Sequence, residues 1–467
     1  MTVIRPNSIS GVSSITGQGG DISIFRADGT AADVFVNNIT SGVITATTFK
    51  GAVEGSGANL TNLPAANITG TLPAIDGSNL TGVGVGTDGS LNTSGIITAT
   101  AFVPTTQGSL SHRNIIINGG MTIAQRAASS TSGGYNTVDR WQVNHSVQAA
   151  PTSAQVAVAS GTSPYTLGFR KALKITNGNQ SNGAQANTIF YIRQFIESQD
   201  VATSGWNYTD PNSKITLSFW IKSSIAQSFH GHVRTEDGTP QIFPFQTGSL
   251  SQDTWTKIIK VIPGNSNLQF DDNNERGLAV VVAPYMGTTY SGSSATFDQW
   301  QTNSSGIFAG TDMTTTWYTT NASTLEFTGF QLEVGPVATP FEHRTFNENL
   351  LLCQRYFCKS YNYNVYSTST DSADHFDGAV CQRSIASTGS NLIFSPYPVL
   401  MRTEPTVTLR GPTAATDASG TIRGSGNTAI SVGGFQNTNS PRQLAFYFTS
   451  NQSNSFISGH YYADAEL

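Results

Sequence analysis

Apolar and polar positions alternate along much of this chain with a period of two, and helical periodicity is confined to one short stretch. The clearest run is Ile215-Thr216-Leu217-Ser218-Phe219-Trp220-Ile221-Lys222, which puts Ile215, Leu217, Phe219 and Ile221 on one face of a strand. Further strands are expected at 173–176, 188–192, 231–234, 255–262, 278–283 and 325–333. In the last of these the apolar phase flips across Gly329, with Leu325 and Phe327 before it and Phe330 and Leu332 after it, so a bulge is expected at the glycine. Strands of this number, joined by turn-rich connections, predict an all-β sandwich or jelly roll over 113–346. One helix is expected after it. Asn347 would cap it, Glu348 would sit at its positive end, and Phe346 would staple onto Leu351, with the helix ending near Phe357. Strands at 378–383, 391–394, 406–410, 443–448 and 456–462 then make 347–467 a small β-rich unit.

Upstream of residue 113 the pattern changes. Ser41-Gly42-Val43-Ile44-Thr45-Ala46-Thr47-Thr48-Phe49 returns as Ser94-Gly95-Ile96-Ile97-Thr98-Ala99-Thr100-Ala101-Phe102. Between the copies, Asn59-Leu60-Thr61, Asn67-Ile68-Thr69 and Asn79-Leu80-Thr81 recur near glycines. Short β-rich repeats with few large side chains cannot close a core singly; they stack on one another or wind around sister chains. Residues 22–26 and 34–36 flank Asp28-Gly29-Thr30 and read as two short strands joined by a turn. Pro64 and Pro73 forbid long central strands nearby. Only Phe25, Phe35, Phe49 and Phe102 among the aromatics precede residue 110; the first Tyr is Tyr135 and the first Trp is Trp141. The step divides the chain into a first β-repeat (1–50), a thin Gly/Asn/Thr-rich shaft (51–112), the sandwich (113–346) and the tail (347–467). The shaft predicts an oligomer.

Charge is scarce, with 24 Lys and Arg against 29 Asp and Glu and a net charge of −5. Ser, Thr, Asn and Gly fill the polar positions. Such a surface suits hydrogen bonding to neutral polar groups such as sugars, and it lacks the clustered Lys and Arg that nucleic acid requires. The longest apolar run, 278–283, is far short of the ~20 residues of a membrane span, so no membrane insertion is expected. The opening Met1-Thr2-Val3-Ile4-Arg5-Pro6 has no apolar secretory core. Three cysteines (Cys353, Cys358, Cys381) are too few and odd in number for a disulfide framework, which fits synthesis in a reducing cytoplasm. Without a secretion signal, the Asn-x-Thr triplets read as turn residues rather than glycosylation acceptors.

Two stretches carry a resemblance. Asn114-Ile115-Ile116-Ile117-Asn118-Gly119-Gly120-Met121-Thr122-Ile123-Ala124-Gln125-Arg126, followed by Thr137-Val138-Asp139-Arg140-Trp141, resembles the opening of a domain common in phage tail-fibre proteins. Gly329-Phe330-Gln331-Leu332-Glu333-Val334-Gly335, then Ala338-Thr339-Pro340-Phe341-Glu342-His343-Arg344, resembles its close. Leu352-Cys353-Gln354-Arg355-Tyr356 and the ending Ala463-Asp464-Ala465-Glu466-Leu467 are similar to later parts of the same family. The shaft, with Thr47-Thr48-Phe49-Lys50-Gly51 and Ser78-Asn79-Leu80-Thr81-Gly82, resembles fibre proteins of contractile-tailed phages of marine cyanobacteria. The resemblance implies a homotrimeric virion appendage with a carbohydrate-binding-module-like jelly roll. Residues 1–50 would attach to other tail or baseplate proteins, and the globular units would face host surface glycan or another outer-membrane component. It implies no catalytic set and no cofactor.

The motif residues read structurally: Arg126, Asp139 and Arg140 as an ion-pair network at a domain or subunit junction, Trp141, Phe330 and Phe341 as core. For binding, aromatic rings with neutral polar neighbours are the stronger sign, because rings stack on sugars while amides and hydroxyls pair with sugar hydroxyls. Trp206, Tyr208, Tyr285, Tyr290, Trp300, Trp317 and Tyr318 fall in predicted loops and are the candidate ligand residues; Tyr361, Tyr363 and Tyr366 offer a second surface. His230 and His232 point to one side of a strand and, on a three-fold axis, would offer six nitrogens to a metal, although surface histidines are the simpler reading. Asp271-Asp272-Asn273-Asn274 reads first as a turn and second as a calcium loop. The carboxylates Asp298, Glu326, Glu333 and Glu342 would serve a glycosidase only as a pair across a cleft. No nucleophile elbow, phosphate loop or Cys-x-x-Cys is present. Cys353 and Cys358, placed five apart on the predicted helix, would not face each other. The expectation is therefore an adhesin without enzymatic activity, with a structural adaptor or whisker, or a polysaccharide depolymerase, as the alternatives.

Overall fold

The computed structural model describes residues 26, 28–30, 112–366, 380–383, 390–410, 421–423, 429–431, 440–449 and 456–467. The chain divides into two compact units, Met1–Thr98 and Ala99–Leu467. In the first, the expected turn is present: Asp28 Oδ1 accepts from the Thr30 backbone N–H at 3.0 Å and from the Thr30 hydroxyl at 2.7 Å, and Gly29 takes φ +87°. Both repeat copies, residues 22–25 and 34–36 of the expected strands, the Asn-x-Thr triplets and residues 51–111 lie outside the described residues.

The second unit is mostly β. In chain order its first strands are β1 (Ser129–Ser130), β2 (Gln142–Ser146), β3 (Thr152–Ala157), β4 (Lys171–Thr176), β5 (Ile189–Glu197) and β6 (Lys214–Ser223). They continue with β7 (Ser228–Thr235), β8 (Gln241–Ser249), β9 (Thr256–Pro263), β10 (Arg276–Met286), β11 (Gln301–Thr302) and β12 (Thr324–Val334). Two antiparallel six-stranded sheets result, in the orders β1-β3-β4-β12-β6-β9 and β11-β8-β7-β10-β5-β2. From β4 to β7, and again through β9, β10 and β12, the chain crosses between sheets at each strand, which is the winding of a jelly roll.

Alternation explains the core. Ile215, Leu217, Phe219 and Ile221 of β6 are fully buried, as expected, and meet Phe190 and Ile192 of β5, Phe243 and Phe245 of β8, and Leu278, Val280 and Val282 of β10 in one apolar cluster. Phe219 and Phe330 stack at 4.6 Å, and Trp141 lies 4.4 Å from Phe330. The strand β8 escapes a reading by alternation because Pro244 interrupts it; the proline is tolerated because β11 pairs only with Gln241 and Ile242, so no ladder bond needs its missing N–H, while its carbonyl accepts from Asp298 N at 2.8 Å.

The bulge expected in β12 is present. Gly329 adopts φ +67°, and the β12–β6 register shifts between Thr328 and Gln331. The opening motif fills it. Gly119 accepts a backbone hydrogen bond from Phe330 at 3.0 Å, Asn114 Nδ2 donates to the Phe330 carbonyl, and Asn114 Oδ1 accepts from Leu332 N. Asn118 binds Ile123 and Asp139 through both ends of its amide, while its carbonyl accepts from Trp141 Nε1. The two motif blocks, over two hundred residues apart, are thus halves of one clamp.

The helix forms at Phe346–Gln354, and its start differs from expectation. Thr345, not Asn347, is the cap. Thr345 and Glu348 form a reciprocal capping box that satisfies two terminal donors where a lone Asn satisfies one. Phe346 therefore begins the helix, packs edge-on against Tyr363 and does not staple Leu351, which is exposed. The helix stops before Phe357, where β13 (Phe357–Lys359) begins, so Cys358 lies on a strand; Cys353 and Cys358 are both buried free thiols.

The tail continues with β14 (Val380–Arg383), β15 (Ser390–Pro396), β16 (Thr406–Arg410), β17 (Thr421–Arg423), β18 (Ala429–Ser431), β19 (Gln443–Thr449) and β20 (Phe456–Asp464). The strand β20 pairs with β13, β14, β16 and β17, and β15 pairs with β19. Cys358, Ile393, Met401, Leu409, Leu444 and Phe446 belong to a core of the tail's own. Buried ions hold it to the sandwich. Glu466 bonds Arg140 and lies 3.3 Å from Arg126; Arg126 also reaches Asp464 at 3.0 Å and approaches Asp139 at 4.0 Å. Arg140 is 1% exposed, lies 3.4 Å over the Tyr356 ring and donates to the Phe195 carbonyl at 2.6 Å. Glu197 receives a bidentate pair from Arg355, both bonds at 2.7 Å, and the Tyr356 hydroxyl. Arg126, Asp139 and Arg140 are a junction network, between sandwich and tail.

A Cβ on Gly119 would lie 2.0 Å from the Phe330 carbonyl oxygen, whereas one on Gly306 would meet nothing within 4 Å. Gly119→Ala should therefore cost about 3 kcal/mol or more in urea unfolding, and Gly306→Ala about 0.5 kcal/mol or less. Equal midpoints for the two variants would contradict the clamp.

Candidate functional site

The site is built from the outer face of the second sheet. Over Ala279–Ala283 the central strand β10 turns short side chains outward, Ala279, Val281 and Ala283, and its register fixes what flanks them. Val281 stands opposite Arg193 of β5 and His232 of β7; Ala279 stands opposite Phe195 and Arg234; Ala283 stands opposite His230. On the far side of β5, Gln142 and Asn144 of β2 oppose Arg193 and Tyr191. A low apolar floor thus runs between two rows of long polar and aromatic side chains.

Two covers close the ends of this trough. Tyr356 and Leu467 of the tail pack with Phe195, Ala279 and Val281. The loop after β10 folds over the other end, where Ala309 and Met286 pack with Ala283 and Phe308 stacks on His232 at 5.3 Å. Tyr290 lies parallel to Phe308 at 6.1 Å. Between the covers remains a pocket of about 80 Å³ lined by Tyr191, Arg193, His232, Arg234, Tyr290, Phe308 and three apolar neighbours.

The polar groups around it are held in place. Asn144 Nδ2 donates to the Tyr191 hydroxyl at 2.8 Å, and Arg193 Nε donates to Gln142 Oε1 at 2.5 Å. Arg234 is paired with Glu236 at 2.6 Å. Arg193 and Arg276 both sit 4.3 Å from the centroid of the Phe195 ring. Burial, with Arg276 and Arg234 nearby and Tyr191 and Tyr135 opposing, holds the Arg193 guanidinium below its ordinary pKa. Burial and the neighbouring Arg234 push His232 down to about 3, so it is a neutral wall of the pocket.

The expected site residues distribute differently from the sequence reading. Tyr290 alone among the seven aromatics lines this pocket. Trp206, Tyr285, Trp317 and Tyr318 are interior rings, a correction of the loop-surface expectation: Trp317 Nε1 donates to the Thr324 carbonyl, Tyr285 stacks on Tyr318 at 4.6 Å, and Trp206 packs against Phe270. Tyr208 meets Phe270 edge-on at 4.9 Å, and Trp300 bonds the Pro263 carbonyl and packs on Phe243. The second surface is likewise engaged, since Tyr361 stacks on His460 and Tyr363 bonds Ala124 N–H.

The histidines lie under the loop rather than on the surface, because the Gly310 N–H donates to His230 Nδ1 at 3.0 Å and His232 Nδ1 approaches the Phe308 carbonyl at 3.4 Å. Asp271-Asp272-Asn273-Asn274 is a turn whose groups bind Ser198, Gln269, Gln199 and Arg402. Among the described residues no group of three or more His, Cys, Asp or Glu is placed to hold a metal. Asp298 pairs with Lys260, Glu326 with Lys222 and Glu342 with Arg344, while Glu333 is bound by Gln331 and Thr339.

The residues that sequence reasoning missed (Tyr191, Arg193, Arg234, Phe308) include three that alternate on strands. In Ile189–Glu197 and Ser228–Thr235 the outward positions are the polar and aromatic ones, and that period-two signal pointed to a sheet face rather than to loops. A larger cleft, about 820 Å³, lies beside the helix Phe346–Gln354. Leu351, Leu352, Val399 and Leu400 line it; of its arginines, Arg344 and Arg355 are paired with Glu342 and Glu197, and Arg113 donates to the Pro340 carbonyl at 3.0 Å.

No protein-family profile matches the sequence, and no curated protein does. Among solved structures, the enzymatically active domain of tailspike protein 4 of bacteriophage CBA120 is similar at 9% identity and TM-score 0.25, covering 46% of this chain and 22% of that one. A structure titled "CBM4 structure and function" is similar at 11% identity and TM-score 0.25, covering 47% and 98%. TmCBM61 in complex with β-1,4-galactotriose is similar at 11% identity and TM-score 0.24, covering 48% and 99%. Likenesses with TM-scores this low decide nothing about ligand or activity.

Because His232 titrates near 6.5 unfolded and near 3 folded, its contribution is present above pH 6.5 and lost as pH falls toward 3. His232→Gln should flatten the fall in stability between pH 6 and 4 by up to about 1.4 kcal/mol per pH unit, read from urea midpoints. An unchanged slope would show that His232 is not buried neutral.

Proposed function

We propose that this chain is a subunit of a homotrimeric phage tail or baseplate fibre that attaches a virion to host surface glycan through the outer face of β5, β10 and β7. The observation that carries the glycan half is the trough: Tyr191, Tyr290 and Phe308 supply aromatic surface, Gln142, Asn144 and Arg193 supply oriented hydrogen-bonding groups, and all but Tyr290 and Phe308 stand on rigid strands. Rings and planar polar groups at fixed positions suit a saccharide, whose faces are apolar and whose edges are hydroxyls. The fibre half is supported by the repeat of residues 41–49 at 94–102 and by the resemblance of the motif blocks. On this reading 1–50 attaches to tail or baseplate proteins, 51–112 winds with two sister chains, and the appendage is made in the host cytoplasm. Single sugar sites are weak, and three copies on one fibre raise the effective concentration of each. The function asks for no covalent chemistry and no cofactor.

A second reading, a structural adaptor or whisker, has one observation in its favour. The large cleft beside the helix exposes Leu351 and Leu400, an apolar surface suited to protein rather than sugar.

Alanine at Tyr191 and Tyr290 together should weaken binding of the whole chain to host-cell polysaccharide at least tenfold, measured on immobilised polymer, with thermal unfolding shifted little. Binding unchanged by both substitutions would overturn the trough as the site. Light scattering should give three chain masses; a monomer at working concentration would remove the fibre argument.

A further inference from the structure

The trough's charge goes beyond what a neutral sugar needs. Several carboxylates around it are paired with arginines: Glu197 with Arg355, Glu236 with Arg234, Glu275 with Arg402 at 3.7 Å, and Glu466 and Asp464 with Arg140 and Arg126. Two guanidiniums are left over. Among the described residues neither Arg193 nor Arg276 has a carboxylate within 4.0 Å, although the chain carries a net charge of −5. They share the Phe195 ring at 4.3 Å each, which keeps them within ~9 Å of one another. Like charges at that spacing repel where screening is weak, and an anion held beside Arg193 relieves the repulsion.

The geometry selects Arg193 as the anchor. Its Nε is tied to Gln142, which fixes the plane of the guanidinium, and among the described residues no other hydrogen bond uses its two terminal nitrogens. It lines the pocket of about 80 Å³, a volume well below the ~300–1,000 Å³ of clefts that enclose whole ligands. A pocket of this size takes a substituent, and a planar donor fork suits a carboxylate or a sulfate oxygen pair.

We infer that the trough recognises an acidic saccharide, with the anionic substituent of one sugar entering the pocket against Arg193 and Arg276 nearby adding charge. This rests on the trough being the glycan site. The class is a polysaccharide bearing uronate carboxylates or sulfate esters.

The test uses the full chain and matched polymers. Polygalacturonate and alginate supply carboxylates, dextran sulfate supplies sulfate esters, and fully methyl-esterified pectin and dextran are the neutral counterparts. At 50 mM salt at least one acidic polymer should bind tenfold or more tighter than its neutral counterpart, and the preference should shrink several-fold at 300 mM. Whether polygalacturonate or dextran sulfate is preferred identifies the anionic group. Arg193→Gln should abolish the preference, and Arg193→Lys, which keeps the charge and loses the fork, should keep part of it. Should Arg193→Gln fail to fold, Arg276→Gln should still reduce the preference several-fold. Equal binding of acidic and neutral polymers, binding to no acidic polymer, or a preference intact in Arg193→Gln would overturn the inference. Loss of neutral-polymer binding in Tyr191→Ala with no charge preference would overturn it while leaving the glycan site standing. Binding to an acidic polymer that Tyr191→Ala and Tyr290→Ala leave unchanged would overturn both.

Discussion

The strand β10 must be buried on both faces, and most of the architecture follows from that. Ten of its eleven residues are buried: Leu278, Val280 and Val282 face the sandwich core, and Ala279, Val281 and Ala283 face the other way. A jelly roll normally leaves the outer faces of its sheets to solvent, where polar side chains belong. Here the outer floor is apolar, so something has to cover it. The tail lays Tyr356 and Leu467 over one end and the loop after β10 lays Phe308 and Ala309 over the other. The trough narrows to the pocket left between the two covers, beside Val281.

That requirement also explains why charges are buried at the junction. Covering Phe195 and Ala279 brings the tail's Glu466 against Arg140 and Arg126, side chains of the sandwich that are themselves nearly inaccessible. A buried pair contributes little net stability, but removing one partner strands the other, at a cost of about 3–5 kcal/mol. The network therefore ties the tail's Glu466 and Asp464 to Arg140 and Arg126 of the sandwich. The same seating of the tail pairs Glu197, Asp464 and Glu466 with Arg355, Arg126 and Arg140, and among the described residues Arg193 and Arg276 have no carboxylate within 4.0 Å.

Much of the fold was legible in the sequence. Alternation placed the cores of β4, β5, β6, β7, β9, β10 and β12, and the phase flip at Gly329 located the bulge. The misses have physical causes. Pro244 hid β8, because an edge strand tolerates a proline that a central strand does not. Thr345 outcompeted Asn347 as a cap because a reciprocal box satisfies more donors. The site was less legible. Aromatics in Gly/Ser/Thr-rich stretches looked exposed, yet Trp317 and Tyr318 turn inward from a short helix, and whether a loop folds over the sandwich or away from it is set by long-range packing. Outward positions on β5 and β7 were present in the alternation, but their importance depends on the short side chains of β10 between them, a relation fixed by register across strands.

Protection of side chains on ligand binding tests the account most directly. Hydroxyl-radical footprinting of the whole chain, with and without saturating host-cell polysaccharide, should protect Tyr191, Tyr290 and Phe308 while leaving Tyr208 and Trp300 as reactive as before. Protection confined to Tyr208, Trp300 or Leu351 and Leu400, with Tyr191 and Tyr290 unaffected, would contradict it.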